Sequence, residues 1–205
     1  MTEPRDLAPV EFWFDFASGY AYFASLDIEA LAARHGRTVL WRPFTIGTAF
    51  KVTGSRGLSH TPLKNEYVDR DWRRLARLKN VPFNPRPGHP LTGLPAIRAF
   101  YAIDGQDANA AAKFAAMVIR AYFCDGLDID DPQSVAKAAS SLRIDHEFVI
   151  RGIADPEVKA RARTVAEGGV AKGICGSPWI IVDGEPFWGN DRMEMAERWL
   201  ASGPW

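Results

Sequence analysis

The sequence predicts an α/β fold whose β-rich ends are separated by an all-helical middle, and three stretches carry that expectation. Val10 to Phe14 is short, aromatic and β-prone, and within a few residues it gives way to apolar residues at helical spacing. Between about residues 96 and 171 the chain is alanine-rich and periodic in the manner of helices. Towards the C-terminus, Trp179 to Val182 and Glu185 to Trp188 are separated only by Asp183-Gly184, the strongest short-range signal for a hairpin with a type I′ turn.

Taken in order, Val10 to Phe14 is the first strand, and Phe16 to Gly19 supplies small residues suited to a turn. A helix follows from Tyr20 through Phe23, Leu26, Ala30 and Ala33, with Gly36 as its C-terminal cap. Thr38 to Arg42 reads as a second strand closed by Pro43, which makes a βαβ unit with a right-handed crossover. Residues 44–63 form a turn-rich loop with a helical turn, of a length that often carries function. Lys64 to Lys79 is a charged helix with Tyr67, Trp72, Leu75 and Leu78 on its inner face. Pro82 to Pro95 is a proline-rich, pinned loop. Helices resume over Ala96 to Ile103, Ala108 to Cys124, Pro132 to Leu142 and Pro156 to about Ala171. Two of these begin with Asp131-Pro132 and Asp155-Pro156, a cap followed by proline in the first turn. After the hairpin, Asp191 to Glu194 has acceptors at capping-box spacing and opens a last helix through Trp199. The order βαβ, helices, ββα is the thioredoxin topology with a helical insertion. Residues 1–50 and 172–205 then form the thioredoxin-like domain, and 51–171 the inserted helical domain.

Composition narrows the function classes. With 25 basic against 25 acidic residues among 205, no global field attracts nucleic acid or an anionic membrane, which leaves a small-molecule enzyme or binding protein. No segment has eighteen uninterrupted apolar residues, and Met1 to Pro9 has no apolar leader region, so a cytoplasmic protein without membrane partners is expected. Cys124 and Cys175 form no C-x-x-C, and the four histidines have no metal-ligand spacing.

Ser18 lies where the first strand hands over to a helix. It is either an N-cap alone or a hydroxyl beside a site for an anion or thiolate, since unpaired N–H groups gather there. Ser177-Pro178 opens an apolar strand. A cis bond there would turn the Ser177 backbone towards an extended ligand beside Ser18, whereas a trans proline would simply mark an edge.

Phe14-Asp15-Phe16-Ala17-Ser18-Gly19-Tyr20-Ala21-Tyr22, Trp41-Arg42-Pro43-Phe44, Lys64-Asn65-Glu66-Tyr67 with Asp71 and Arg74, and Gly173 to Pro178 through Phe187 to Arg192 together resemble the 2-hydroxychromene-2-carboxylate isomerases over nearly the whole chain. That family is related to kappa-class glutathione transferases and to DsbA-like proteins of thioredoxin fold. The resemblance implies a glutathione-dependent cis-trans isomerase of an aromatic carboxylate, working by reversible thiolate addition. It implies Ser18 as the catalytic hydrogen-bond donor to the cofactor sulfur. Ser177 and Pro178 would meet the glutathione backbone, Asn190 and Asp191 its γ-glutamyl end, and Lys64 and Ser55 would also belong to the cofactor site. Tyr20, Tyr67 and Arg42 would face the substrate. A homodimer is compatible with it.

Three positions depart from the family pattern: Gly19 for proline, expected to loosen the turn, and Ser55 and Thr92 for two asparagines. Competing functions are a kappa-like glutathione S-transferase, a disulfide oxidoreductase relative and a non-catalytic binding module. Ser18-Gly19-Tyr20-Ala21 stands where the oxidoreductases carry their C-x-x-C, and Cys175 reads as a small apolar residue.

Overall fold

The computed structural model describes residues 7–205. The first six residues, counted above with the thioredoxin-like domain and with the leaderless N-terminus, lie outside the described residues. Among the described residues, four strands form one mixed sheet in the order β2-β1-β3-β4. The strands are β1 (Val10–Phe14), β2 (Val39–Pro43), β3 (Trp179–Val182) and β4 (Glu185–Trp188). β1 pairs in parallel with β2, Phe12 opposite Trp41, and antiparallel with β3, Phe12 opposite Ile180. The N-terminal βαβ unit and the C-terminal hairpin thus meet in a single sheet, as the topology read from the sequence requires. In the hairpin, Asp183 and Gly184 have φ of 52° and 90°, the positive pair that a type I′ turn demands. The carboxylate of Asp183 is held by the buried Arg37 at 2.6 Å, which ties the turn to the segment before β2 and draws the carboxyl pKa down.

Ten helices are described: α1 (Gly19–Ser25), α2 (Ile28–Arg34), α3 (Gly47–Thr53), α4 (Lys64–Lys79), α5 (Leu94–Asp104), α6 (Ala108–Cys124), α7 (Pro132–Ser140), α8 (His146–Ala154), α9 (Pro156–Ala171) and α10 (Met193–Ser202). One face of the sheet presents Phe12, Phe14 and Trp41, whose rings stack or meet edge to face at 5.0 to 5.4 Å. Trp41 also donates to Glu29 of α2 at 2.6 Å. The other face presents Trp13, on which α9 rests through Gly169. A Cβ there would come within 2.8 Å of the indole, so only glycine allows the approach. Phe114, Val118 and Tyr122 of α6 join Phe12, Phe14 and Tyr22 in one apolar cluster, so helices and sheet share a core.

Several expectations change. The helix foreseen from Tyr20 to Ala33 is two, broken at Leu26 and Asp27, with Asp27 starting α2. The loop 44–63 contains α3, which ends at Gly54 in the left-handed region. α8 has no counterpart among the expected helices, although Asp145 caps it through Phe148 N at 2.7 Å and Val149 and Ile153 are buried four residues apart. On α4 the inner face is Val68, Trp72 and Ala76, a strict spacing of four. Tyr67 and Leu78, expected inside, are 61% and 82% exposed. The capping box at Asp191 to Glu194 does not form. Residues Asn190–Arg192 make a 3-10 turn, α10 has no side-chain cap, and Asp191 pairs with Arg192 at 2.8 Å.

Candidate active site

The site is assembled at the C-terminal end of β1. Asp15 follows the last strand residue, and its carbonyl accepts from Ser18 N at 3.0 Å, closing the turn that starts α1. Ser18 is extended, with φ −92° and ψ 114°, and its Oγ accepts from Ala21 N at 3.2 Å. It is therefore an N-cap, as either reading of it required. The same hydroxyl donates to the carbonyl of Ser177 at 2.9 Å, across 159 positions of sequence.

Ser177-Pro178 is cis. Ser177 Oγ accepts from Asp15 N at 2.8 Å, so Ser177 is tied to the active-site turn twice, through its carbonyl to Ser18 and through its hydroxyl to Asp15. Beneath them Gly176 meets the indole of Trp188, where a Cβ would come within 1.9 Å of the indole nitrogen, so no larger residue fits without moving that ring. Gly189 N donates to Pro178 O at 3.0 Å and fixes the start of the 190–192 turn beside the cis bond.

A second wall comes from α4. Tyr20 donates its phenolic proton to Asp71 Oδ2 at 2.9 Å, and Asp71 Oδ1 accepts from Arg74 at 3.1 Å. Burial, followed by the bonded Asp71 carboxylate, raises the Tyr20 pKa, so the phenol stays protonated at neutral pH. The Asp191 carboxylate acts weakly in the same direction. Arg74 lies over the Tyr67 ring at 5.7 Å. Trp72, one of the three buried residues of this helix, meets the Tyr20 ring at 5.9 Å and covers Gly19.

Ser18, Ser177, Pro178 and Tyr20 are thus gathered at one end of the sheet, with the half-buried Asn190 and the exposed Asp191 in the 3-10 turn that packs on α1, and Tyr67 exposed on α4. Lys64 opens α4 and is exposed one turn before Tyr67. Ser55 is exposed just after α3, bonded through its backbone to Thr53. Arg42 is not joined to this group by any hydrogen bond or ion pair. It stands opposite Trp13 in the β1–β2 register, on the face covered by α9, and its charge is felt by Tyr101 of α5. Thr92 is likewise engaged elsewhere, since its hydroxyl donates to Asp130 at 2.7 Å.

Two residues near the site carried no role in the sequence reasoning. Asp15 is buried, and burial raises its carboxyl pKa to about 6 even though two backbone N–H groups pull it down. An acid between Phe14 and Phe16 at a strand end was a visible signal. His89, in a cis bond to Pro90, has Nδ1 at 2.8 Å from Tyr122 Oη and packs against Trp72 at 5.5 Å. Burial, then the nearby His60, lowers its pKa to about 4, so it is neutral at pH 7. Nothing in its sequence neighbourhood pointed to this packing.

The family model described as a DSBA-like thioredoxin domain matches residues 9–201. A 2-hydroxychromene-2-carboxylate isomerase from Sphingobium xenophagum is 27% identical over 193 residues, which span 93% of this chain and 97% of that protein. Glutathione S-transferase kappa 1 of Caenorhabditis elegans is 23% identical over 203 residues, spanning 92% and 89%. A solved 2-hydroxychromene-2-carboxylate isomerase structure, 22% identical, superposes with a TM-score of 0.84 over 94% of each chain, a likeness of fold. The resemblance carried by the motifs is found over most of the chain. Among the described residues no helix is long and apolar enough to cross a membrane.

Proposed function

Because the chain belongs to the DSBA-like thioredoxin domain family, we propose that it is a glutathione-dependent cis-trans isomerase acting on a 2-hydroxychromene-2-carboxylate-like aromatic acid. The observation that carries this is the placement of the Ser18 hydroxyl 2.9 Å from the Ser177 carbonyl, at a cis proline, in a family fold that here has a serine and no C-x-x-C. The residues fit glutathione. The half-buried Ser177 offers backbone groups for an extended peptide, and the hydroxyl of Ser18 lies beside them. Glutathione held there would supply a thiolate for reversible addition to the conjugated acid, the chemistry that would let its double bond turn.

The chain's own part is to bind, orient and favour the charged sulfur. Ser18 gives up its bond to Ser177 O and donates to the sulfur instead, while Ala21 N continues to hold its oxygen. The Ser177 carbonyl so released accepts from the ligand backbone. Asn190 and Asp191, on the turn against α1, meet the γ-glutamyl end, and Lys64 and Ser55 complete the cofactor side. Tyr20, kept protonated and fixed by Asp71, and Tyr67 form the substrate wall. In this reading 1–50 and 172–205 supply Ser18, Tyr20, Ser177 and the γ-glutamyl side, and 51–171 adds Lys64, Ser55 and Tyr67. The enzyme works in the cytoplasm, where thiols stay reduced.

The test is to follow isomerisation of 2-hydroxychromene-2-carboxylate with and without glutathione, alongside retention on immobilised glutathione. Turnover is expected only with the thiol present. Equal turnover without it would sink the cofactor role. Conjugation of glutathione to an electrophile without isomerisation would favour the kappa-like transferase, a reading the worm relative supports. Retention with neither activity would mark a binding module.

A further inference from the structure

Asp15 is the only acidic side chain buried among the described residues, and it touches three separate segments of the chain. Its Oδ1 accepts from Ala17 N and its Oδ2 from Ile46 N, each at 2.8 Å. Its backbone N donates to Ser177 Oγ at 2.8 Å, and its carbonyl accepts from Ser18 N at 3.0 Å. The side chain therefore joins the turn before α1 to the entry of α3, and the main chain of the same residue fixes both serines. Burying a carboxylate without a cation is costly, and here two backbone donors are its compensation.

We propose that Asp15 is a positioning residue whose ionised carboxylate clamps Ile46, and with it the start of α3, to the active-site turn at Ala17 while its backbone sets the spacing of Ser18 and Ser177. The proposal deepens the isomerase site and rests on that reading only for its catalytic consequence. The charged and titratable groups that face Asp15 are Asp130, from the segment before α7, and Tyr122 of α6, whose phenol is itself pushed up to about 12. His89, bonded to Tyr122, is neutral above about pH 4. None of these supplies a positive charge at pH 5 to 8. As pH falls through about 6 the carboxyl gains a proton, one oxygen becomes a poor acceptor, and one of the two N–H bonds is lost.

Amide exchange read at Ile46 and Ala17, corrected for the intrinsic pH dependence of exchange, tests this in the unmodified protein without any ligand. Protection at one or both amides is expected to fall about tenfold between pH 8 and pH 5, the order expected for losing a bond to a charged acceptor. In Asp15→Asn, where an amide must face one of the N–H groups, protection should be low and flat with pH. Wild-type protection that is the same at both pH values overturns the proposal, whatever the variant does. So does equal protection in wild type and variant. S-methylglutathione, which has no thiol to titrate, links the clamp to the site, and its affinity should weaken over the same pH range. Titrating protection with no S-methylglutathione binding supports the clamp and removes the glutathione site. Binding with untitrating protection overturns the clamp and leaves the glutathione site intact.

Discussion

Ser18→Ala is expected to raise the pKa of bound glutathione and to lower turnover at neutral pH by about tenfold for each pKa unit gained above the working pH. A free thiol of pKa about 8.5 is only a few per cent ionised at pH 7, so a donor that favours the thiolate has a large share of the rate to supply. The structure sharpens the forecast, because the Ser18 proton is already committed to Ser177 O at 2.9 Å. Its net value to the sulfur is the new bond less the old one, and the loss should appear mainly in kcat, with the affinity for the thiol changing less. Part of the rate should return as pH rises, although a more basic thiolate is also more nucleophilic and offsets some of the loss. Ser18 also caps α1 through Ala21 N at 3.2 Å, so about 1 kcal/mol of stability should go with it. Ser18→Asp separates the two roles. It can replace the cap at Ala21 N but cannot donate to Ser177 O, so stability should return only in part, and as an anion beside the sulfur it should depress turnover further. Unchanged activity in Ser18→Ala with glutathione bound would move the donor role to Tyr20 or Tyr22. Tyr20 is already donating to Asp71 and Tyr22 to Pro82 O at 2.9 Å, so either would have to exchange partners.

What the sequence revealed and what it concealed divide along physical lines. Strand, turn and cap signals are local, and they placed β1, the Asp183-Gly184 hairpin, the Asp131 and Asp155 caps and Ser18 itself, because each depends on a few adjacent residues. Ser177-Pro178 could be read as a special turn because a proline cannot donate inside a sheet. Contacts made across the chain were not legible. Tyr20 to Asp71 spans 51 positions and Asp15 to Ile46 spans 31, and no periodicity announces either. Thr92 shows the same limit. Read only as a departure from an asparagine of the family pattern, it is held by Asp130, which also accepts from Gly93 N at 2.7 Å and so fixes the loop before α5.

Gly19→Pro is expected to destabilise the protein by about 1–3 kcal/mol, the usual cost of forcing atoms into a filled core. The backbone is not the obstacle. Gly19 is the first residue of α1, where proline's missing N–H does no harm, and Ser18 before it is extended, as a residue preceding proline should be. The obstacle is Trp72, for a Cβ on Gly19 would lie 2.4 Å from its Cε2 and 2.7 Å from its Nε1. Nor can the indole simply swing aside, since Tyr20, Phe83 and His89 pack around it with ring centroids 5.5 to 5.9 Å away. Gly19 is therefore a packing choice made by α4, and the loosened turn expected from the sequence is replaced by one buried under an aromatic ring. Reducing the tryptophan should reverse the sign of the substitution. In a Trp72→Leu background, itself destabilised by the cavity, Gly19→Pro should cost nothing or return about 0.4–1 kcal/mol by restricting the unfolded chain. Denaturant midpoints of the wild type, the two single variants and the double variant give the coupling, expected to be at least about 1 kcal/mol and favourable for residues in contact. Additive effects would mean that Trp72 does not set the residue at 19, and the absence of proline from this turn would then have no packing cause.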